Sequence, residues 1–245
     1  MLSFVGIFKY SIDAYLSDFR GKATLPMLGG FMLQAATRHA EERGFGYSNM
    51  TGQKKVWVLT RMNIVMNSYP KNDTEINLHT WITDVNKLFT ERCFAFEDHE
   101  GNYFGFARSL WAAIDLETRR PTNLLEMEGL NDYITGKPCP IAPASKIPLL
   151  KDAELSNSFE VKYSDIDINK HLNSIKYIEH FVDTFPLNMY EGKEIHGFEI
   201  NYITEGQYGT TLDICKKETE SDIYTLEMKD NDKTICSSRV TWKQN

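Results

Sequence analysis

Alternating apolar and polar residues run through the first half of the chain and predict β-strands. Ile76, Leu78 and Ile82 share one parity, and the run LFTERCFAFE alternates before the turn-forming residues DHEGN. The runs WVLTRMNIVM before this region and FGFARSLWAAI after it are also strand-like. The pattern therefore predicts a sheet of several antiparallel strands.

One segment of this half, TLPMLGGFMLQAATRHAEERG, instead has helical spacing. Thr24 can cap its start, Pro26 suits a first helical turn, and Gly44 can end it. Gly29 and Gly30 weaken a helix, but they permit close packing on a sheet. The apolar positions at helical intervals are Leu28, Phe31, Ala35 and Ala36.

The second half repeats the order of strand, helix and several strands. The run NSFEVKYSD is typical of a strand, and Pro186 should end the helix that follows. The segments MNIVMNSYPKNDTEINL and FEINYITEGQYGTTLDI match in pattern, as do ARSLWAA and SSRVTWK. We infer an internal duplication. The apolar face predicted for the second helix consists of Leu172, Ile175, Ile178, Val182 and Phe185.

A proline-rich segment separates the two halves. The run ITGKPCPIAPASKIP holds four of the eight prolines and no periodic pattern, as expected of a linker. We therefore predict an N-terminal domain at residues 1–134, a linker at 135–150 and a C-terminal domain at 151–245.

Composition and charge narrow the classes of function. The chain has 245 residues, of which 42% are hydrophobic, and its net charge of −7 argues against general binding of nucleic acid or anionic membranes. No apolar run approaches the roughly 18 uncharged residues of a membrane span. The first residues lack signal-peptide features, and the four cysteines form no CxxC pair. We expect a cytoplasmic protein without a metal site.

Three polar residues alternate just before the second predicted helix, in SDIDINKHLNSIKYIEHF. Asp167, Asn169 and His171 can point to one side of an extended segment, and the helix N-terminus offers N–H groups to a developing oxyanion. These groups suit acyl transfer or hydrolysis. The alternative is structural, because Asp and Asn are common helix caps and a lone His is often structural. The spacing alone leaves both open.

Comparison of the two halves predicts a single chemical site. Aligning YLSDFRGKATL with KYSDIDINKHL places Asp18 on Asp165 and Leu25 on Leu172. Other polar residues then stand at the three positions of the constellation, namely Arg20, Lys22 and Thr24.

The segment DIDINKHLNSIKYIEHFVDTFP resembles the Asp, Asn and His stretch of acyl-acyl-carrier-protein thioesterases, which end fatty-acid synthesis. VWVLTRMNIVMNSYPKNDTEINLHTWI and LWAAIDLETRRPTNL are similar to two further segments of that family, and the resemblance runs from about Phe4 to Trp242. It implies an α+β fold of two tandem hot-dog domains, each a long central helix wrapped by an antiparallel β-sheet.

The resemblance also implies a catalytic set of Asp167, Asn169, His171 and Glu205. Many relatives have a cysteine at the next position, where this chain has Gly206, so no thiolate can form there. The implied mechanism is attack by water on the thioester carbonyl, assisted by Glu205 and His171. Asn169 and the helix N-terminus would support the oxyanion, and Asp167 would orient Asn169 and His171.

By the same resemblance, the first domain shapes the acyl pocket, and the partner is an acyl carrier protein bearing an acyl thioester. No cofactor is implied, and a homodimer stays open. The candidate acyl-binding residues are Leu28, Phe31, Met32, Ala35, Trp57, Leu59 and Met62. The basic residues that could meet an acidic carrier are Arg119, Arg120, Lys137, Lys146, Lys170 and Lys176.

Two other functions stay open from the sequence. The first is hydrolysis of acyl-coenzyme A, since the hot-dog fold serves both carriers. The second is a non-catalytic acyl-binding module, for which Gly206 would mark a decayed site. The presence of four polar residues of the implied set in two separate segments argues against decay.

Overall fold

A computed structural model describes residues 3–245 of the chain. The chain forms two compact units, the first ending at Pro143 and the second spanning Ala144–Asn245. The boundary between the units falls inside the predicted linker, residues 135–150, while the exact domain limits stay a prediction. No helix within residues 3–245 is long and apolar enough to cross a membrane.

The first unit places a helix against an antiparallel sheet. Within residues 3–143, the strands pair in the order β1-β3-β4-β5-β2. These strands are β1 (Gly6–Ile12), β2 (Lys55–Met66), β3 (Thr74–Val85), β4 (Thr90–Glu97) and β5 (Tyr103–Asp115). The helices are α1 (Leu25–Glu41) and α2 (Tyr47–Gly52), with 3-10 turns at Ala14–Leu16, Leu124–Glu126 and Leu130–Tyr133.

Helix α1 begins and packs as its sequence predicts. The Met27 amide donates to the Thr24 hydroxyl at 3.2 Å, and Pro26 lies in the first turn. The helix continues through both glycines and contacts β1 and β3. Its core-facing side buries Leu28, and the ring of Phe31 stacks on Tyr10 with 4.4 Å between centroids. Burial of this apolar face is the main source of stability for such a helix.

The second unit repeats this topology. Within residues 144–245, the strands pair in the order β6-β8-β9-β10-β7, so the predicted duplication is confirmed in the sheet. The strands are β6 (Glu154–Glu160), β7 (Lys193–Tyr202), β8 (Thr211–Glu220), β9 (Ile223–Asp230) and β10 (Lys233–Gln244). The helices are α3 (Ser174–Val182) and α4 (Leu187–Gly192), with a 3-10 turn at Tyr163–Asp165.

Helix α3 is shorter than its apolar pattern predicted. It begins after Asn173, whose side chain accepts the Ile175 amide at 2.9 Å. This cap fixes the start of the helix. Leu172 therefore lies outside the helix. Phe185 also lies outside, because α3 ends at Val182, four residues before the end predicted at Pro186; both side chains are buried. Pro186 precedes α4 directly. The buried face of α3 consists of Tyr177, Ile178, Phe181 and Val182.

Side chains of each unit fix the part of the linker that belongs to that unit. In the first unit, the Arg108 guanidinium donates to the Ile141 carbonyl at 3.0 Å. In the second unit, the Ser145 amide and hydroxyl donate to the Glu199 carboxylate at 3.0 and 2.8 Å. These bonds replace the ladder hydrogen bonds that a segment without regular secondary structure lacks.

We predict that Thr24→Ala lowers the free energy of unfolding by about 1 kcal/mol, because the Met27 amide loses its cap. Thr37→Ala is the matched control in the same helix. Its hydroxyl only bonds back to the Leu33 carbonyl at 2.9 Å on an exposed face, so Ala should be neutral or stabilising there. Urea unfolding followed by circular dichroism measures both, and equal losses would contradict the cap.

Candidate active site

Two loops of the second unit bring His171 and Glu205 together. His171 lies in the turn before α3, and Glu205 lies between β7 and β8. The Nε2 atom of His171 is 3.4 Å from Oε2 of Glu205, and the two side chains are 24% and 40% exposed. Both groups are open to solvent. At this distance an imidazole and a carboxylate can act together on one water molecule.

Main-chain hydrogen bonding holds the two loops in this register. The Leu172 amide donates to the Gly206 carbonyl at 2.9 Å, and His171 forms an antiparallel bridge with Gln207. His171 directly precedes Leu172 in the chain, and Glu205 directly precedes Gly206. Their spacing therefore depends on the backbone as well as on side-chain packing.

The Asp167 carboxylate organises the turn that carries His171. Its Oδ1 atom accepts the amides of Asn169 at 2.8 Å and His171 at 3.2 Å, and the Asp167 amide donates to the His171 carbonyl at 2.8 Å. Lys170 adopts a positive φ of 63° inside this turn. Asp167 thus positions the backbone of Asn169 and His171. The orienting role expected of Asp167 would act through these two amide contacts.

Asn169 and the start of α3 occupy separate places along the chain. Asn169 is exposed at the tip of the turn, whereas α3 begins only at Ser174. The Asn173 side chain already accepts the amide of Ile175, the second residue of α3. A role in oxyanion support for Asn169 and for the helix N-terminus stays a prediction.

Tyr177 is a residue of the site that the sequence analysis missed. It lies on α3 and is 3% exposed, and its hydroxyl accepts the Gly206 amide at 2.8 Å and donates to the Thr204 carbonyl at 3.4 Å. Burial raises the pKa of its phenol, so the hydroxyl keeps the proton that it donates. One feature of the sequence could have pointed to Tyr177: it is a tyrosine on the buried face of a helix, and a buried tyrosine hydroxyl needs a hydrogen-bond partner.

Gly206 fits closely between its neighbours. A Cβ atom at this position would lie 3.1 Å from Leu172 Cβ and 3.2 Å from the Tyr177 hydroxyl oxygen. Any side chain here would require one of these neighbours to move by a few tenths of an ångström. The glycine at position 206 is thus matched to its surroundings.

The equivalent turn of the first unit corrects the alignment of the two halves. The Asp18 Oδ1 atom accepts the amides of Arg20 at 2.9 Å and Lys22 at 3.0 Å, and the Ala23 amide donates to the Pro70 carbonyl at 2.9 Å. This pattern is that of Asp167 and its turn. Asp18 therefore corresponds to Asp167, and the alignment of Asp18 with Asp165 is wrong by two residues.

The corrected register shows which residues of the first unit stand in place of His171 and Glu205. Arg20 stands at the position of Asn169 and Lys22 at that of His171, while Tyr69 precedes Pro70 as Glu205 precedes Gly206. The Arg20 guanidinium folds back onto Asp18 at 2.7 Å. The first unit thus keeps the turn and lacks the imidazole–carboxylate pair at this position.

The seven predicted acyl-binding residues all lie on α1 or β2, but they do not share one environment. Leu28, Met32, Ala35 and Met62 are 0% exposed, and Leu59 is buried as well. Trp57 packs beside a separate cluster that includes Met50 and Leu124, and its indole donates to the Phe45 carbonyl at 2.7 Å. Their role in acyl binding stays a prediction. Among residues 3–245, no three or more His, Cys, Asp or Glu side chains are grouped so that they could hold a metal ion.

Comparison with known sequences assigns the chain to one family. Residues 7–128 match the acyl-ACP thioesterase N-terminal domain, and residues 150–244 match the acyl-ACP thioesterase C-terminal domain. The chain belongs to the acyl-ACP thioesterase family.

Solved structures and curated sequences agree with this assignment. An acyl-ACP thioesterase of Bacteroides thetaiotaomicron superposes with a TM-score of 0.93 at 36% identity over 98% of both chains. The 12:0-ACP thioesterase of Umbellularia californica, at 20% identity, shares the fold with a TM-score of 0.90 over 100% of this chain and 99% of that chain. The expected α+β fold of two tandem hot-dog domains is thereby confirmed.

Curated relatives from plants are more distant and longer. A chloroplastic acyl-acyl-carrier-protein hydrolase of Cuphea viscosissima is 23% identical over 96% of this chain, which spans 61% of that relative. The chloroplastic oleoyl-acyl carrier protein thioesterase 2 of Arabidopsis thaliana is 24% identical over 94% of this chain, which spans 68% of that relative.

We predict that Asp167→Ala lowers the free energy of unfolding by about 1–2 kcal/mol, because two amides lose a charged acceptor. Asp167→Asn keeps an oxygen at the same position and should lose less than about half as much. Chemical denaturation of the two variants beside the wild type tests this. If both variants lose the same stability, the carboxylate does not act through the turn amides.

Proposed function

We propose that this protein hydrolyses acyl-acyl-carrier-protein thioesters to a free fatty acid and the carrier protein. The observation that carries the proposal is the pairing of His171 with Glu205 at 3.4 Å in a chain of the acyl-ACP thioesterase family. This pair supplies a base beside an imidazole, which is what activation of water requires. Gly206 removes the alternative of a cysteine nucleophile at the next position.

In the proposed reaction, Glu205 and His171 take a proton from a water molecule while its oxygen attacks the thioester carbonyl carbon. The tetrahedral intermediate then collapses as the C–S bond breaks, and the proton passes to the departing thiolate. Asn169 and the start of α3 support the oxyanion, and Asp167 holds the turn in place through its two amide contacts. The products are a carboxylic acid and a thiol.

The first unit would bind the acyl chain, which gives the remote binding energy that holds the carbonyl at the site. The proposed residues are Leu28, Phe31, Met32, Ala35, Trp57, Leu59 and Met62. The proposed partner is an acyl carrier protein bearing an acyl thioester, and we place the reaction in the cytoplasm. The curated relatives named above are described as chloroplastic.

We predict that His171→Ala and Glu205→Gln each lower kcat at least about 10²-fold, because a general base contributes roughly 10²–10⁴-fold. The assay measures free fatty acid released from a chain-length series of acyl-carrier-protein thioesters. His99→Ala is the matched control, since His99 lies 3.9 Å from Glu100 in an exposed pair outside the site. Its kcat should stay within twofold of the wild type.

The same series on acyl-coenzyme A decides between the two carriers. We expect a higher kcat/KM with the carrier protein at every chain length that is hydrolysed. Preference for coenzyme A would replace the carrier in the proposal and keep the chemistry. Absence of turnover on both carriers, with acyl chains still bound, would leave an acyl-binding protein built on this fold.

A further inference from the structure

We propose that Tyr177 is a positioning residue that fixes Glu205 against His171 through one buried hydroxyl. This inference rests on the hydrolase function proposed above. The two hydrogen bonds of the Tyr177 hydroxyl go to main-chain groups, the Thr204 carbonyl and the Gly206 amide. Tyr177 acts on the backbone immediately before and after Glu205.

The hydroxyl bridges the two residues that flank Glu205. It donates to the Thr204 carbonyl at 3.4 Å and accepts the Gly206 amide at 2.8 Å. These two groups belong to the peptide units on either side of the Glu205 Cα atom. Holding both therefore restricts the backbone dihedral angles of Glu205, and with them the direction of its side chain.

Glu205 needs such a restraint because its side chain is not fixed by burial. Before it, the amides of Ile203 and Thr204 both donate to the Ile235 carbonyl at 2.9 and 3.0 Å. After it, the Gly206 carbonyl accepts the Leu172 amide. Between these anchors Glu205 is an exposed residue in a loop, and the Tyr177 hydroxyl spans the gap between them.

The first unit lacks the His171–Glu205 pair, and it also lacks the residues that could form this bridge. Tyr177 is the fourth residue of α3, and the fourth residue of α1 is Leu28, which has no hydroxyl. Pro70, at the position of Gly206, has no amide hydrogen to donate. The unit without the His171–Glu205 pair thus lacks both partners of the Tyr177–Gly206 bond at the equivalent positions.

Gly206 and Tyr177 are also matched in size. A Cβ atom on Gly206 would lie 3.2 Å from the Tyr177 hydroxyl oxygen, so a larger residue would push against the group that binds its own amide. Glycine gives the amide an unhindered approach to the hydroxyl. Glycine at position 206 and the bridge by Tyr177 therefore belong to one arrangement.

The first test is Tyr177→Phe, which keeps the ring and removes the hydroxyl. We expect kcat on the preferred acyl-carrier-protein substrate to fall at least about tenfold with KM within twofold, because substrate binding does not use the bridge. Tyr202→Phe is the matched control. Its ring packs edge-on to Tyr177 at 5.4 Å, and its hydroxyl donates to the Ser174 carbonyl at 2.9 Å, away from the Glu205 loop. Its kcat should change less than twofold.

A second readout does not depend on turnover. Hydrogen exchange of the Gly206 amide, followed by NMR, should accelerate at least about tenfold in Tyr177→Phe and remain unchanged in Tyr202→Phe. Unchanged exchange in a folded Tyr177→Phe variant would overturn the bridge. Unchanged kcat in a wild type that hydrolyses acyl-carrier-protein would overturn the positioning role. A wild type inactive on both carriers would refute the hydrolase proposal, while the exchange rate would still test the bridge.

Gly206→Ala provides a route that keeps Tyr177 in place. The added methyl group crowds the Tyr177 hydroxyl as well as the Leu172 side chain, so we expect kcat to fall in the wild-type background and to fall less in the Tyr177→Phe background, where only the contact with Leu172 remains. Such coupling is the signature of two residues that act through one contact. Losses that simply multiply in the double variant would show that the two residues act independently and would overturn the proposal.

Discussion

The hydrogen bond from the Leu172 amide to the Gly206 carbonyl is the interaction on which the site depends. It joins the turn before α3 to the loop between β7 and β8, and at 2.9 Å it sets the distance between residues on the two segments. His171 and Glu205 are covalent neighbours of its two ends. A main-chain bond is well suited to this task because it has no side-chain rotamers to lose.

The two units share the same main-chain scaffold around the turn before the helix, but they carry different side chains on it. The first unit makes the same main-chain bond between Ala23 and Pro70, and its turn is closed by Asp18 as the second is closed by Asp167. What differs is the side chains that the scaffold presents. Arg20 returns to Asp18 in an ion pair, whereas the second unit offers an imidazole to a carboxylate.

Gly206 shows how one small residue shapes the surroundings of a site. Its missing side chain leaves space that the Leu172 side chain and the Tyr177 hydroxyl approach closely, and its amide is bound by that hydroxyl. A buried polar tip of this kind is stable only with partners. The loop backbone provides them, so the packing of α3 and the conformation of the Glu205 loop are linked.

Local sequence patterns determined the strands, the cap of α1 and the repeated order of elements, because alternation and capping act within a few residues. They also marked Asp167, Asn169 and His171 as a group. Glu205 came from family resemblance, since α3, α4 and β7 separate it from His171. The register of the two turns was missed because a slip of two residues preserves alternation. Only the tertiary hydrogen bonds, which join segments distant in sequence, decided that register and brought Tyr177 to Gly206.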